Sequence, residues 1–193
     1  MNYWFLYLLT TGEIYTSPYL GNANEWTNIP DGCGVLGPID EATASEAIKD
    51  AYLHPNYYFV QSGSLVAVTN LAQLQLQDAQ TTKIASLQVS FQQTLNAGFP
   101  SLASGTSITY GFSDLDQTNL SQELNILNAG IAPLPIQWGA KDGVTIVSLT
   151  DVQFKQLCKD ANDFKWSLIT KLRTLIGDVQ ASTTVDAVNA IVW

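Results

Sequence analysis

Between Phe154 and Val179, apolar side chains recur at intervals of three and four. The stripe runs Phe154, Leu157, Ala161, Phe164, Leu168, Leu172, Leu175 and Val179. A periodicity of this kind, sustained over more than about six turns, specifies one long amphipathic helix with a core-facing stripe. Thr150-Asp151-Val152-Gln153 opens it with capping-box spacing, in which the hydroxyl and the amide satisfy end groups reciprocally. Lys171 and Arg173 fall in its last turns on this reading, where cations suit the helix dipole. The rest of the chain must cover that stripe. The material is present: 46% of the 193 residues are hydrophobic and 13% are charged. The charged share is about half of the usual ~25%. Global disorder is excluded, and the length suits one medium domain or two small ones.

Upstream of this helix the chain reads as short strands, turns and two further helices. Aromatic residues 3–9 suit a buried strand, Thr11-Gly12 a tight turn, and residues 13–16 a return strand. Residues 18–38, rich in Gly, Asn and Pro, read as mostly loop, with short extended pieces near Trp26 and Val35. A helix is expected over 40–53, opened by Thr43 and Glu46 and stopped at His54-Pro55. A second hairpin spans 57–68. Residues 71–97 carry seven Gln and an apolar stripe of Ile84, Leu87, Phe91 and Leu95, with Gly98 as C-cap and Pro100 beyond it. This Gln-rich helix fits either a coiled-coil stalk or a helix packed on one neighbour. A strand at 108–112 and a helix at 114–128 follow, with Leu120, Leu124 and Leu127 on one face of the helix. Lys141-Asp142-Gly143 between two apolar runs is the strongest hairpin signal. Ser182-Thr183-Thr184 caps a last short helix, and the terminal Trp193 is expected to be packed.

The fold class is therefore α+β. The expected organisation is a small N-terminal α+β docking module (1–70), a Gln-rich linker helix (71–98) and a helix-rich C-terminal unit with a short hairpin (99–193). Ile84, Leu87, Phe91 and Leu95 are the candidate seam between copies. Trp26, in a polar loop, is a candidate exposed contact aromatic.

Charge and motif inventory exclude most chemistry. Eight basic and seventeen acidic residues give a net charge of −9. The whole imbalance lies in residues 1–140, with two lysines against eleven acids, while 141–193 is neutral with six of each. Such a surface repels phosphate backbones and anionic lipid, so neither nucleic acid nor membrane is expected as a partner. Gly32-Cys33-Gly34-Val35-Leu36-Gly37 matches G-x-G-x-x-G, but prolines flank it and no strand–helix context surrounds it. It reads as a glycine-rich loop with Cys33 as a small buried hydrophobe. Met1–Leu9 lacks a basic leader, so Cys33 and Cys158 are expected to be free thiols. His54 is the only histidine, which leaves no triad and, with two distant cysteines, no metal site. Among the carboxylates, Asp31, Asp40, Asp114, Asp116 and Glu123 are the candidates for a glycosidase pair, but nothing in their spacing joins two of them. Asp114 reads as a helix cap and Asp116 as a first-turn acid. No enzyme activity, catalytic residue, cofactor or metal is expected.

One ordered series of residues resembles a known family. It starts with a long helix ending at Ala97-Gly98-Phe99, then the small strand Ile108 to Phe112 and Asp116-Gln117-Thr118-Asn119-Leu120. Trp138 with Lys141-Asp142-Gly143 follows, then the strand Val144 to Leu149, the long helix, and Thr183-Thr184-Val185. Over roughly residues 71–193 this resembles a domain of unknown function in bacteriophage tail proteins, often encoded beside tail-fibre genes. Residues 1–70 more loosely resemble short N-terminal modules of tail and tail-fibre-assembly proteins. The resemblance implies a structural or adaptor protein at the tail fibre or baseplate. It would bind other tail proteins, self-associate and reside in the virion tail. The alternatives are a fibre-assembly chaperone absent from the mature particle, and a host-glycan-binding tip or wall-degrading enzyme.

Overall fold

The computed structural model describes the whole chain, Met1–Trp193. The fold is α+β, and it divides into two compact units, Met1–Gln75 and Leu76–Trp193. No helix is long and apolar enough to cross a membrane.

The first unit is built on β1 (Asn2–Leu8), which lies between β2 (Tyr19–Gly21) and β3 (Cys33–Asp40) in an antiparallel sheet. Tyr3, Trp4, Phe5 and Leu6 are all buried in a row because both faces of β1 are covered: Tyr3 and Phe5 pack in a cluster with Ala51, and Trp4, on the opposite face, meets the ring of Trp26. This corrects two sequence expectations. The return strand at 13–16 is reduced to single bridges, Tyr7 to Ile14 and Glu13 to Phe59. The long partner of β1 is instead the segment expected to be loop, paired from Asn2–Asp40 to Leu8–Cys33.

The glycines of the G-x-G-x-x-G motif explain why a strand can form there. A Cβ on Gly34 would lie 2.6 Å from the Tyr7 ring, and one on Gly37 would lie 2.7 Å from the Trp4 ring. The motif is thus a seat for aromatic side chains of β1. Cys33 is buried as expected, but in a strand rather than a loop.

The helix α1 spans Glu46–Leu53, six residues later than the sequence suggests, and its N-cap is Ser45 rather than Thr43. Asp40 prevents an earlier start. Its carboxylate accepts the Ala42 N–H at 3.0 Å, closing a turn that competes with helix. After α1, the His54 ring stacks on Tyr57 at 4.8 Å. The hairpin of β4 (Tyr58–Gln61) and β5 (Ser64–Ala67) turns through Ser62-Gly63, both at positive φ, as a two-residue turn requires. Tyr58 donates to Asp50 at 2.7 Å. Burial, then the Asp50 carboxylate, pushes its hydroxyl up to about 12.

The helix α2 spans Leu71–Asn96, and the division between units falls inside it, after Gln75. The second unit continues with β6 (Phe99–Ser101), β7 (Ile108–Tyr110), α3 (Asp114–Asn128), β8 (Ile136–Gly139), β9 (Ile146–Leu149), α4 (Asp151–Ala181) and α5 (Val185–Ala190). β6 pairs with β7 and β8 with β9, each as a two-stranded antiparallel ribbon. Along α4, Phe154, Leu157, Ala161 and Leu168 face a core of Phe99, Tyr110, Phe112, Leu120, Leu127, Ile136 and Leu149. Farther along, Val179 meets Leu87 and Val188 in a second cluster.

Thr150 and Gln153 form the expected capping box. Asp114, however, is not a cap: Ser113 holds that position, and Asp116 completes its capping box. Lys171 and Arg173 are not terminal either, because α4 runs on to Ala181. Lys171 instead lies 4.5 Å over the ring of Trp193.

Candidate interaction surface

The expected seam on α2 is occupied by the chain's own residues. Leu87 is 2% exposed against Val179 and Val188, with the half-buried Ile84 packed beside them. Leu95 is buried in the main core, and Phe91 meets Trp193 edge-on at 6.2 Å. Trp193 donates its indole N–H to Thr94 at 2.9 Å. The polar face of the helix is also engaged. Gln80 donates to the carbonyls of Val179 and Ser182, and Lys83 donates to those of Asn189 and Ile191. These groups serve carbonyls at the C-terminal ends of α4 and α5, where intrahelical N–H partners run out; the Val179 carbonyl also accepts the Ser182 N–H at 3.2 Å. The stripe Ile84, Leu87, Phe91 and Leu95 is therefore core within one chain, not a seam between copies.

Trp26 belongs to the first unit. Its ring lies 6.2 Å from those of Trp4 and Tyr19, and its N–H donates to the Asn28 carbonyl. Trp26 is half-buried and Tyr19 is 46% exposed, while Trp4 is buried, so this aromatic trio reaches solvent at two members. The candidate carboxylates Asp40 and Asp116 serve a turn and a cap.

The most exposed aliphatic stretch of the second unit lies where β9 leads into α4. Val144 is 83% exposed, Ile146 70% and Val152 76%. Ile146 pairs with Gly139 across the ribbon, so no side chain opposite covers it. Val144 is held in the turn by Asp142, which accepts the N–H groups of Val144 and Thr145 at 2.9 and 2.8 Å. The Thr145 hydroxyl, then these N–H groups, keep the Asp142 carboxyl below its ordinary value. A strand signal marks this run in the sequence, but not its phase. The burial of Leu149 sets that phase: Val147 and Leu149 point inward, Ile146 and Ser148 outward.

A groove of about 240 Å³ lies against α3 and α4. Its apolar lining is Phe112, Leu120, Leu124, Cys158 and Ala161, with Gln117 and Lys165 among its polar members. Cys158 is a free thiol, and burial pushes it up to about 11. Iodoacetamide is therefore expected to alkylate Cys158 at neutral pH roughly a hundredfold more slowly than an ordinary thiol, because only the thiolate reacts. Mass spectrometry of the tryptic peptide would check this, with the rate recovering as pH approaches 11. Nothing in residue spacing marks the groove, which arises only when two helices meet.

A family model described as a domain of unknown function (DUF4376) matches residues 78–192, more than half of the chain. The match runs from α2 through α5. No curated protein and no solved structure matches the chain.

Proposed function

We propose a binding role for this chain, which belongs to the DUF4376 family: a structural or adaptor protein of a bacteriophage tail. It acts at the fibre or baseplate through protein–protein contact. The observation that carries the binding role is the stretch Val144, Ile146 and Val152, three aliphatic side chains 70–83% exposed within nine residues. Single exposed apolar residues are ordinary, but neighbouring ones left in water favour a covering partner. The low charge of the chain suits this role, since interface cores are depleted in charged residues. The assignment to a phage tail rests on the ordered series of residues described above, from Ala97-Gly98-Phe99 to Thr183-Thr184-Val185. Self-association accords with the symmetry of tail assemblies, but its surface is not the stripe of α2.

The test is mass spectrometry of purified, fully assembled particles, with copy number measured against the tail tube protein. Copies at a fixed stoichiometry are expected. Presence in infected-cell lysate with absence from the particle would overturn the adaptor role in favour of an assembly chaperone.

A further inference from the structure

Lysine partners separate one residue of the second unit from the rest. The chain has seventeen acids and only eight bases, so every ammonium could find a carboxylate. Lys49, Lys155 and Lys159 do. Lys83 and Lys141 reach backbone carbonyls at helix ends, and Lys171 covers Trp193. Lys165 does none of these. Half-buried in the wall of the α3–α4 groove, it donates to the side-chain oxygen of Gln117 at 2.7 Å. Gln117 is itself oriented, because its amide N–H donates to the Phe112 carbonyl at 3.1 Å. A neutral oxygen uses one of the three donors of the ammonium and none of its charge. No carboxylate lines the groove.

The size of the groove narrows what it can take. Small-molecule and cofactor sites usually enclose about 300–1,000 Å³. This one, at about 240 Å³, is short of that range and suits a single large side chain. Phe112 in the lining offers an aromatic neighbour, and the ammonium offers a cation at the edge. Pockets that accept one aromatic anchor dominate the affinity of many interfaces.

We propose that the α3–α4 groove seats one aromatic side chain of a partner polypeptide, with an adjacent carboxylate of that partner paired to Lys165. This deepens the binding role proposed above and rests on it. The groove takes the aromatic ring by apolar burial. Lys165 then selects partners with Asp, Glu or a terminal carboxylate next to the ring.

The test uses the full chain and two short probes, acetyl-Trp-Glu-amide and acetyl-Trp-Gln-amide, followed by two-dimensional NMR. The Glu probe is expected to move the amide signals of Leu120, Leu124, Ala161 and Lys165. It should bind about two- to fivefold more tightly than the Gln probe, the range of a partly exposed ion pair. Lys165→Gln keeps a donor for Gln117 and should erase that preference while leaving the Gln probe unaffected. Asn162→Trp, at an exposed position in the lining, should block both probes. The proposal is overturned if neither probe moves those signals, or if both bind the native chain alike. It is also overturned if Asn162→Trp changes nothing, or if octanoate moves the signals and the peptides do not. That last result would make the groove a site for a free carboxylic acid. The probes need no tail protein, so a negative result leaves the particle experiment untouched. Absence from particles would likewise leave peptide binding standing.

Discussion

Leu87→Asp is expected to unfold the second unit rather than to release monomers from an oligomer. Leu87 is 2% exposed, surrounded by Val179, Val188, Ile84, Leu172 and Leu175. Truncating a buried leucine costs about 2–5 kcal/mol. An unpaired carboxylate in the same place adds several kcal/mol more, because nothing nearby replaces its lost water. A domain holds only about 5–15 kcal/mol in total, so the change reaches the size of the whole margin. Val89→Asp is the matched control, two residues on along α2 and 57% exposed. It should stay within about 0.5 kcal/mol of the native chain. Circular dichroism and amide NMR would read the outcome, with light scattering alongside. A folded Leu87→Asp protein of reduced mass would restore the seam between copies. Loss of dispersed signals from Leu76–Trp193 confirms the internal packing.

The contrast between these two variants shows where sequence reading stops. Periodicity identifies Ile84, Leu87, Phe91 and Leu95 as one apolar face, but it says nothing about what covers that face. The answer lies about a hundred residues downstream, in Val179, Val188 and Trp193. Signals that close within a few residues were legible. The span of α3, the Thr150–Gln153 capping box and the Asp142-Gly143 turn all follow from local chemistry.

Signals that depend on distant partners were not. β3 reads as loop because Gly34, Gly37 and Pro38 disfavour a strand by their own preferences. Its glycines answer to Tyr7 and Trp4, about thirty residues earlier in the chain. The sequence places the start of α1 too early for the opposite reason. Thr43 and Glu46 have the right spacing, but the Asp40 side chain closes a competing turn first. Of the candidate surface, Trp26 was visible as an aromatic in a polar loop. The groove beside Lys165 was not, since Gln117 and Lys165 are 48 positions apart and meet only in the folded chain.

The same dependence on distant packing makes Phe99 a sensitive apolar position of the second unit. Phe99→Ala is expected to cost about 3–5 kcal/mol, the range for emptying a fully buried aromatic site. Phe99 has no exposed surface, and its ring lies within 6.1 Å of the rings of Tyr110, Phe112 and Phe164. β6 and β7 are three residues each, too short a ribbon to be stable alone. Their order depends on Phe99 anchoring the ribbon among rings that include α4's Phe164. The backbone leaves little room to adjust. Gly98 enters β6 at φ +81°, with the Tyr110 carbonyl oxygen 2.2 Å from where a Cβ would sit. Urea unfolding of the full chain, followed through the indole signals of Trp138, Trp166 and Trp193, would measure the loss. The midpoint should fall by at least about 1 M with an unchanged slope, given a slope near 1–3 kcal/mol/M. Val144→Ala, at a position 83% exposed, should leave the midpoint in place. If Phe99→Ala moved it no further than Val144→Ala, then Phe112 and Phe164 would have closed the hole between them. The ribbon would then be held by β6–β7 pairing and not by its anchor.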